Sequence, residues 1–200
     1  MTNGPKSHGI IQFLFSVILS RGIDNIKQDM DEPENKLMGR HGYCTQEMVN
    51  LILVGTATSN VHDDDVNLGG EPGSEKILKG IKKQSQFGQL SLFEHYQNLK
   101  VGEHLKSPIY PIWVICSESH YTIAFGVTRQ LPVPDTPSAS FDLFYYDGLA
   151  NQEDEIRLTI SVGGLRTRRG DSELVSPIDH CLRTKWPTCK VDWNGIDPLL

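Results

Sequence analysis

Two apolar runs joined by a short polar turn constrain the fold of this chain more than any other feature. Residues 112–116 and 120–125 are rich in β-branched and aromatic side chains, which favour strands. The turn between them is Ser117-Glu118-Ser119. The pattern therefore predicts two neighbouring strands of an antiparallel sheet, with His120 at the start of the second strand.

The alternation of side chains along the second strand predicts which of its faces is buried, because successive side chains point to opposite faces. One face carries the smaller side chains, His120, Thr122 and Ala124. The other face carries the bulkier side chains, Tyr121, Ile123 and Phe125. We expect the bulkier face to lie on the core and the face of His120 to border a cleft.

The order of predicted elements indicates an α+β fold. Helical patterns fill the first half of the chain, at 10–26, 46–54, 74–83 and 88–96. The second half carries strand patterns, at 112–116, 120–125, 141–146, 180–185 and 190–193. Helices followed by an antiparallel sheet are typical of the α+β class. We expect one domain over residues 1–200, with a helical part at about 8–105 and a sheet part at about 108–200.

The composition favours a globular protein without a nucleic-acid partner. Of the 200 residues, 38% are hydrophobic and 22% charged, as in ordinary globular domains. The net charge of −6 argues against binding to nucleic acid, which usually needs a basic surface. The basic cluster of Arg166, Arg168 and Arg169 is interpreted as a solvated loop. The histidine and cysteine spacings match no zinc motif, so we expect no metal and no other cofactor.

The cysteines and the N-terminal apolar run bear on location. The cysteines form no CxxC pair and lie at Cys44, Cys116, Cys181 and Cys189, which favours a reduced protein. Residues 10–19 resemble the apolar core of a signal peptide, but Gln12 and Ser16 interrupt them and no cleavage signal follows. Because Ile23 and Ile26 continue the helical spacing, we predict a buried core helix. We expect a cytoplasmic or nuclear protein that is not secreted and has no membrane partner.

His120 is the candidate general base. A histidine at a strand start beside the mouth of a sheet is where papain-like cysteine hydrolases keep this group, and a third residue usually orients its ring. Asp147, at the end of the strand predicted at 141–146, is a candidate orienting residue, and Asn151 is a second candidate. A structural or surface role for His120 is the alternative, since one histidine specifies little.

Cys44 is the best candidate nucleophile on physical grounds alone. It lies near the predicted N-terminus of the helix at 46–54, with Thr45 as the N-cap and Gly55 at the end, and a helix N-terminus favours the thiolate. An inert, buried cysteine is the alternative reading. Cys116 is close to His120 in sequence, but we expect it to face the core across the turn.

The chain resembles the MINDY deubiquitinases in their longer-chain branch. Six runs in the same order carry the similarity: HGYCTQEMVNL (41–51), LSLFEHY (90–96), PIWVICSESH (111–120), YYDGLANQ (145–152), RTKW (183–186) and VDWNG (191–195). The resemblance covers most of the chain, with gaps at the Asp-rich loop of residues 56–75 and around 127–140.

This resemblance implies a papain-like fold and cysteine-type hydrolysis of ubiquitin chains, with a preference for lysine-48 linkages. Ubiquitin or polyubiquitin is then the expected partner, and His120 corresponds to the catalytic histidine of the family. The family's nucleophile lies in a Gly-Pro-Cys-Gly-like segment in the earlier half of the catalytic domain. This chain contains no such segment, and Cys44 lies in a motif that looks structural in the family.

We therefore expect the chain to correspond to the C-terminal half of a MINDY catalytic domain, as a fragment or as a branch that has lost activity. Alone it is expected to be inactive, because the members of a catalytic triad act as a unit. A ubiquitin-binding pseudoenzyme or scaffold, holding the extended ubiquitin tail along a strand edge, is the alternative. A true cysteine hydrolase that uses Cys44 is a third hypothesis.

Overall fold

The computed structural model describes residues 8–71, 74–133, 136, 138–150, 152–163 and 175–198. The chain divides into two compact units, residues 1–83 and 84–200. In the described part of the chain, the first unit holds three helices and a two-stranded ribbon, and the second unit holds a six-stranded mixed sheet with three helices. The predicted α+β class is therefore confirmed. The assignment of both units to one domain stays a prediction.

The first unit is built around its helices α1 (Gly9–Arg21), α2 (Ile23–Asp29) and α3 (Gln46–Val54). As predicted, α3 has Thr45 at its N-cap and Gly55 at its C-cap. Gly55 has φ 78°, a left-handed conformation that glycine adopts without a steric penalty. The helices enclose a small apolar core of Ile26, Met30, Met48, Leu51 and Ala57.

The ribbon of the first unit replaces a predicted helix. Strands β1 (Val66–Asn67) and β2 (Ile77–Leu78) pair antiparallel, so the helix predicted at 74–83 is wrong. Beside them, the carboxylate of Asp31 accepts hydrogen bonds from the backbone N–H of Lys79 at 2.7 Å and from Asn60 Nδ2 at 2.8 Å. These contacts hold residue 79 in an extended path that a helix could not follow.

Helix α1 exists as predicted, but it is not a buried core helix. None of its residues is buried, and Ile10, Phe15 and Leu19 are each at least 60% exposed. Leu14, Val17 and Ile18 pack partly against the core of the first unit. The apolar residues surround the helix axis, so only one side of the helix can be covered by this core.

Among the described residues, no single helix has the length and apolar character to cross a bilayer. Helices α1 and α2 satisfy those two criteria only when taken together, across a bend of 80°.

The second unit contains the sheet. Its strands are β3 (Gly88–Ser91), β4 (Ile112–Ser117), β5 (His120–Phe125), β6 (Ala139–Tyr146), β7 (Ile156–Val162) and β8 (Lys190–Asp192), in that spatial order. The pair β3–β4 is parallel and the other pairs are antiparallel. The sheet is therefore mixed, which corrects the fully antiparallel sheet that the sequence predicted.

Helices of the second unit are α4 (Leu92–His95), α5 (Glu103–Lys106) and α6 (Pro177–Lys185). Residues 88–96 were predicted as one helix, but they form β3 and the single turn α4. Residues 180–185 were predicted as a strand, yet they lie in α6. The Ser176 hydroxyl accepts a hydrogen bond from the Asp179 N–H at 3.2 Å, and Pro177 occupies the first turn. These N-terminal residues favour a helix rather than a strand in this segment. Strand β7 was missed altogether.

The core of the second unit lies between α6 and one face of the sheet. Trp186 on the helix side is fully buried and meets Trp113 of β4 edge-on, with ring centroids 5.7 Å apart. Trp113 pairs across the strands with Ala124 of β5, which is also fully buried. The small side chain of Ala124 leaves room for the two indole rings.

The buried face of β5 is the opposite of the one predicted. Thr122 and Ala124 are 2% and 0% exposed, whereas Ile123 is 38% exposed. The size of the side chains along β5 did not predict its buried face, because large side chains of the neighbouring strand and of α6 fill the core. His120 lies at the end of this same face, and its ring is 39% exposed.

We predict that Ala124→Leu destabilises the second unit far more than Ile123→Leu does. Extra methylenes in a filled core cost about 1–3 kcal/mol, while a change between isomeric side chains costs less than about 1.5 kcal/mol. Urea unfolding followed by tryptophan fluorescence measures both variants. Equal losses in the two variants would contradict the assignment of the core face.

Candidate active site

The hairpin of β4 and β5 positions His120. Ser117 and His120 form its last cross-strand pair, so only Glu118 and Ser119 make the turn. Glu118 adopts φ 57°, a left-handed conformation that lets the chain reverse within two residues. The imidazole therefore leaves the sheet at the first residue of β5, where it reaches solvent.

Asp147 comes to His120 from the neighbouring strand. The antiparallel register aligns Ile123 with Tyr146, so Asp147 follows the last residue of β6 beside the start of β5. The Nε2 atom of His120 and Oδ2 of Asp147 are 2.8 Å apart. The carboxylate is 8% exposed. The two residues proposed from the sequence as base and orienting group are thus in hydrogen-bond contact.

The loop after β6 is fastened by Gln152, which sequence reasoning did not assign. Its Oε1 accepts from the Asp147 N–H at 3.1 Å, and its Nε2 donates to the carbonyls of Tyr145 at 3.1 Å and Asp154 at 2.9 Å. The Leu149 N–H donates to Asp147 Oδ1 at 2.9 Å. The carboxylate is therefore held from both sides. An Asp-Gly turn followed by a polar side chain was the only signal for this arrangement in the sequence.

The surroundings of Asp147 favour its ionised form. Burial acts to raise the pKa of this carboxyl, but hydrogen bonds from His120 and from the Leu149 N–H, together with the charge of His120, act against burial. The pKa of Asp147 consequently lies below its ordinary value. An ionised, oriented carboxylate can accept a hydrogen bond from the N–H group of an imidazole at neutral pH.

The contact between His120 and Asp147 determines what the imidazole can do chemically. A carboxylate accepts only, so Nε2 carries the hydrogen in the neutral ring and Nδ1 has the free lone pair. No residue in the described part of the chain hydrogen-bonds Nδ1. The geometry leaves this nitrogen, on a ring that is 39% exposed, available to take a proton from a reacting group.

Cys44 does not have the environment expected of a nucleophile. It lies one residue before the N-cap of α3, and its side chain packs against the apolar core of the first unit. Burial raises the pKa of its thiol. The expected lowering by the helix N-terminus is therefore wrong, because Cys44 lies outside the first turn and is partly buried.

The other thiols are more strongly buried. Cys116 is 5% exposed, and its side chain lies on the face of β4 opposite Ser117 and His120, because it precedes Ser117 by one residue. Burial raises the pKa of Cys116, that of Cys181 to about 12 and that of Cys189 to about 11. At neutral pH these thiols stay protonated, which makes them poor nucleophiles.

Some sequence-based assignments are not covered by the structure. Asn151, the second candidate orienting residue, lies outside the described residues, as do Arg166, Arg168 and Arg169. Among the residues that are described, no group of three or more histidine, cysteine or acidic side chains is placed to hold a metal ion.

A carboxylate-oriented histidine at a strand start, on a helix-and-sheet scaffold, is the arrangement expected of the papain-like class. The conserved domain of the deubiquitinating enzymes MINDY-3/4 matches residues 2–195. The chain therefore belongs to the MINDY-3/4 family, whose papain-like fold agrees with the observed α+β architecture.

Two kinds of relative are similar to this chain. It is 49% identical over 197 residues to the human protein named probable ubiquitin carboxyl-terminal hydrolase MINDY-4, and 47% identical over 192 residues to the Xenopus tropicalis protein of the same name. These matches cover 98% and 96% of this chain. Human ubiquitin carboxyl-terminal hydrolase MINDY-3 is 40% identical over 131 residues, 65% of this chain. No solved structure matches.

The matched region is a minor part of each relative. The chain spans 26% of the length of each of the two MINDY-4 proteins and 28% of human MINDY-3. The activity of the whole relatives is therefore a property of much longer chains.

We predict that Asp147→Asn lowers the free energy of unfolding by about 1.5–3 kcal/mol at pH 7, the range for hydrogen bonds to a charged group. A carboxyl whose pKa is lowered by folding stabilises the protein above its unfolded pKa of about 3.9. That contribution disappears as the pH falls through the lower, folded pKa. Urea unfolding of wild type and variant should therefore converge between about pH 4 and pH 2.

The control for this pH series is Asp154→Asn, because Asp154 is exposed and its carboxylate makes no hydrogen bond within the described residues. Its stability should stay within about 0.5 kcal/mol of wild type. A difference between wild type and Asp147→Asn that stays constant down to pH 2 would contradict the assigned role of the carboxylate.

Gln152→Leu removes the acceptor of the Asp147 N–H and both donated bonds. We expect a loss of about 1–3 kcal/mol in unfolding free energy, together with a changed nitrogen chemical shift of the His120 ring in NMR spectra. Gln28→Leu, on the exposed side of α2, is the matched control. An unchanged His120 signal in Gln152→Leu would show that the amide does not position the carboxylate.

Proposed function

We propose that this chain carries the general-base side of a thiol-dependent deubiquitinase site, with ubiquitin or polyubiquitin as its partner. In this proposal His120 is the general base and Asp147 orients it. The 2.8 Å contact between His120 Nε2 and Asp147 Oδ2 is the observation that supports the proposal most directly. The family membership of the chain and the names of its relatives support the substrate class.

In the proposed mechanism, Nδ1 of His120 takes the proton from a cysteine thiol and the thiolate attacks the carbonyl carbon of the isopeptide bond. The imidazolium that forms is stabilised by the buried carboxylate of Asp147. The proton then passes from Nδ1 to the leaving lysine amine. A preference for lysine-48 linkages is part of the proposal, and it rests on the resemblance to the family.

We further propose that the 200-residue chain does not hydrolyse ubiquitin conjugates by itself. All four of its thiols have pKa values raised by burial, so each is mostly protonated at neutral pH. Without a reactive thiolate, a histidine base cannot promote acyl transfer. The attacking thiolate of the proposed reaction would therefore come from a segment outside this sequence.

A reducing compartment, cytoplasm or nucleus, is the proposed location. The four cysteines are all free in the structure, and three of them are buried where no disulfide partner is bonded to them. Free, buried cysteines are typical of proteins in reducing compartments.

The alternative function is a ubiquitin-binding pseudoenzyme or scaffold. One observation favours it: β8 is an edge strand of the sheet, and Lys190 and Asp192 on it are exposed. An exposed edge can pair with an extended peptide through main-chain hydrogen bonds. The ubiquitin tail is the extended peptide that this hypothesis requires.

The test of the catalytic roles uses the full-length human protein named probable ubiquitin carboxyl-terminal hydrolase MINDY-4, in which a complete site is expected. Alanine at the histidine aligned with His120 should lower kcat for lysine-48-linked diubiquitin by about 10²–10⁴-fold, the usual contribution of a general base. Asparagine at the residue aligned with Asp147 should lower kcat with little change in KM. Wild-type turnover by the histidine variant would contradict the proposed base.

The test of inactivity uses this chain and a ubiquitin probe with a thiol-reactive C-terminus. We expect no covalent adduct with the folded chain, while iodoacetamide labels all four thiols in urea. An adduct that disappears in Cys44→Ser would show a working cysteine hydrolase and overturn the proposal. Saturable ubiquitin binding without an adduct, lost when β8 carries Val191→Pro, would favour the scaffold.

A further inference from the structure

The second unit contains a cavity that the proposed catalysis does not use. Its volume is about 430 Å³, within the usual range of small-molecule sites. Lys185, at the end of α6, and Trp113 of β4 line it together with Ser107 and Arg129. Neither His120 nor Asp147 is among its lining residues.

The amine of Lys185 is held against aromatic rings. Its Nζ lies 5.4 Å from the ring centroid of Trp113 and 5.2 Å from that of Trp186. Both indoles are themselves fixed, because Trp113 Nε1 donates to the Lys106 carbonyl at 2.9 Å and Trp186 Nε1 donates to the Pro132 carbonyl at 3.0 Å. The cation is therefore close to two fixed aromatic rings, a contact that stabilises its charge.

This amine has no ion-pair partner within the described residues. Nζ donates to Ser107 Oγ at 3.2 Å, and that hydroxyl donates to Glu103 Oε2 at 3.1 Å. The carboxylate of Glu103 is therefore linked to the amine through this hydroxyl. The second cation of the cavity is Arg129, whose guanidinium carbon lies 5.1 Å from the ring centroid of Tyr110. None of the described lining residues is acidic.

The charge of this cavity contrasts with that of the chain. Among the described residues, two cations and no acidic side chain line the cavity, whereas the whole chain has a net charge of −6. Burying an unpaired ammonium group is costly unless an anion or hydrogen-bond acceptors compensate it. The Ser107 hydroxyl gives the amine of Lys185 one uncharged acceptor, so an anion bound beside the amine would complete that compensation, and the indole of Trp113 offers a flat wall for an apolar ring.

We propose that the cavity between Trp113 and Lys185 is a binding site for a small organic anion with a flat apolar body. Lys185 pairs with the anionic group, Arg129 is the second cation at the site, and Trp113 packs against the ring. Aromatic carboxylates are the simplest ligands with this chemistry. The proposal is independent of the deubiquitinase mechanism, because it shares no residue with it.

The titration of Lys185 agrees with this proposal. Burial and the charge of Lys106 lower the pKa of this amine, against the opposing charge of Glu103, to about 8. At pH 7 the amine is still mostly charged, and it loses its charge as the pH rises towards 9. Affinity for an anion should therefore fall by about tenfold between pH 7 and pH 9, well below the pH at which an ordinary lysine of pKa about 10.4 titrates.

The test is an NMR titration that follows the three tryptophan indole N–H signals. The probes are 2-naphthoate and its neutral analogue 2-naphthylmethanol. We expect saturable shifts of the Trp113 signal with 2-naphthoate, no shift of Trp193, and at least tenfold weaker binding of the neutral probe. Equal affinities for the two probes, or shifts of Trp193 as large as those of Trp113, would overturn the proposal.

Variants separate the role of charge from a loss of folding. Lys185→Gln should weaken 2-naphthoate binding at least tenfold and abolish its pH dependence between 7 and 9. Arg129→Gln, at an exposed position, should weaken binding without affecting the fold. Lys190→Gln, an exposed lysine on β8 outside the cavity, is the matched control and should bind as wild type does. Wild-type binding by both Lys185→Gln and Arg129→Gln would also overturn the proposal.

Discussion

The packing of α6 against the sheet is the constraint on which the second unit depends. Trp186 is fully buried between Trp113, 5.7 Å away, and Phe141, 5.1 Å away. The strand partner of Trp113 is Ala124, a small and fully buried residue that takes little of the space beside these large rings. A shift of β5 by one residue would place Ile123 against the indoles and turn His120 to the other face of the sheet. The core packing therefore also determines where the imidazole points.

The geometry of the His120–Asp147 pair follows from that register with little additional structure. Once β5 and β6 are aligned, Asp147 needs only the short loop fastened by Gln152 to reach His120. The carboxylate is then satisfied by an imidazole and a backbone N–H, which offsets the penalty for burying a charge. A base and its orienting group can thus be built entirely by one hairpin and its neighbouring strand, within the second unit.

Sequence reasoning found the residues of the site more readily than the packing around them. The hairpin and the helix that ends at Gly55 depend on short-range patterns, which a single sequence displays directly. His120 and Asp147 are 27 residues apart, but each lies at one end of a strand that a local pattern predicts. The buried face of β5 depends on Trp113 and Trp186, one on a neighbouring strand and one at the end of a distant helix, so bulk along one strand was misleading.

The sequence predictions for the segments that form helix α6 and strand β7 were wrong for different reasons. Residues 180–185 contain too few apolar positions to show a clear period, and the deciding signals were Ser176 and Pro177 just before them. Strand β7 does carry a local signal, since Ile156, Leu158 and Ile160 alternate with polar residues along it, the pattern of a half-buried strand; the sequence interpretation overlooked it. The parallel pairing of β3 with β4 joins segments more than twenty residues apart, and no local pattern specifies it.

The interaction between His120 and Asp147 has consequences for stability that are separate from catalysis. The pKa of Asp147 lies below its ordinary value, so the folded state is favoured by this carboxylate wherever the pH exceeds the pKa of the unfolded chain. A chain without a reactive thiolate would still lose stability if either partner were replaced. The His120–Asp147 pair therefore supports the proposal of a correctly oriented base. Hydrolysis would also require a thiol whose pKa is low. The four thiols of this chain have pKa values shifted in the opposite direction, which is the physical reason to expect a well-formed base without turnover.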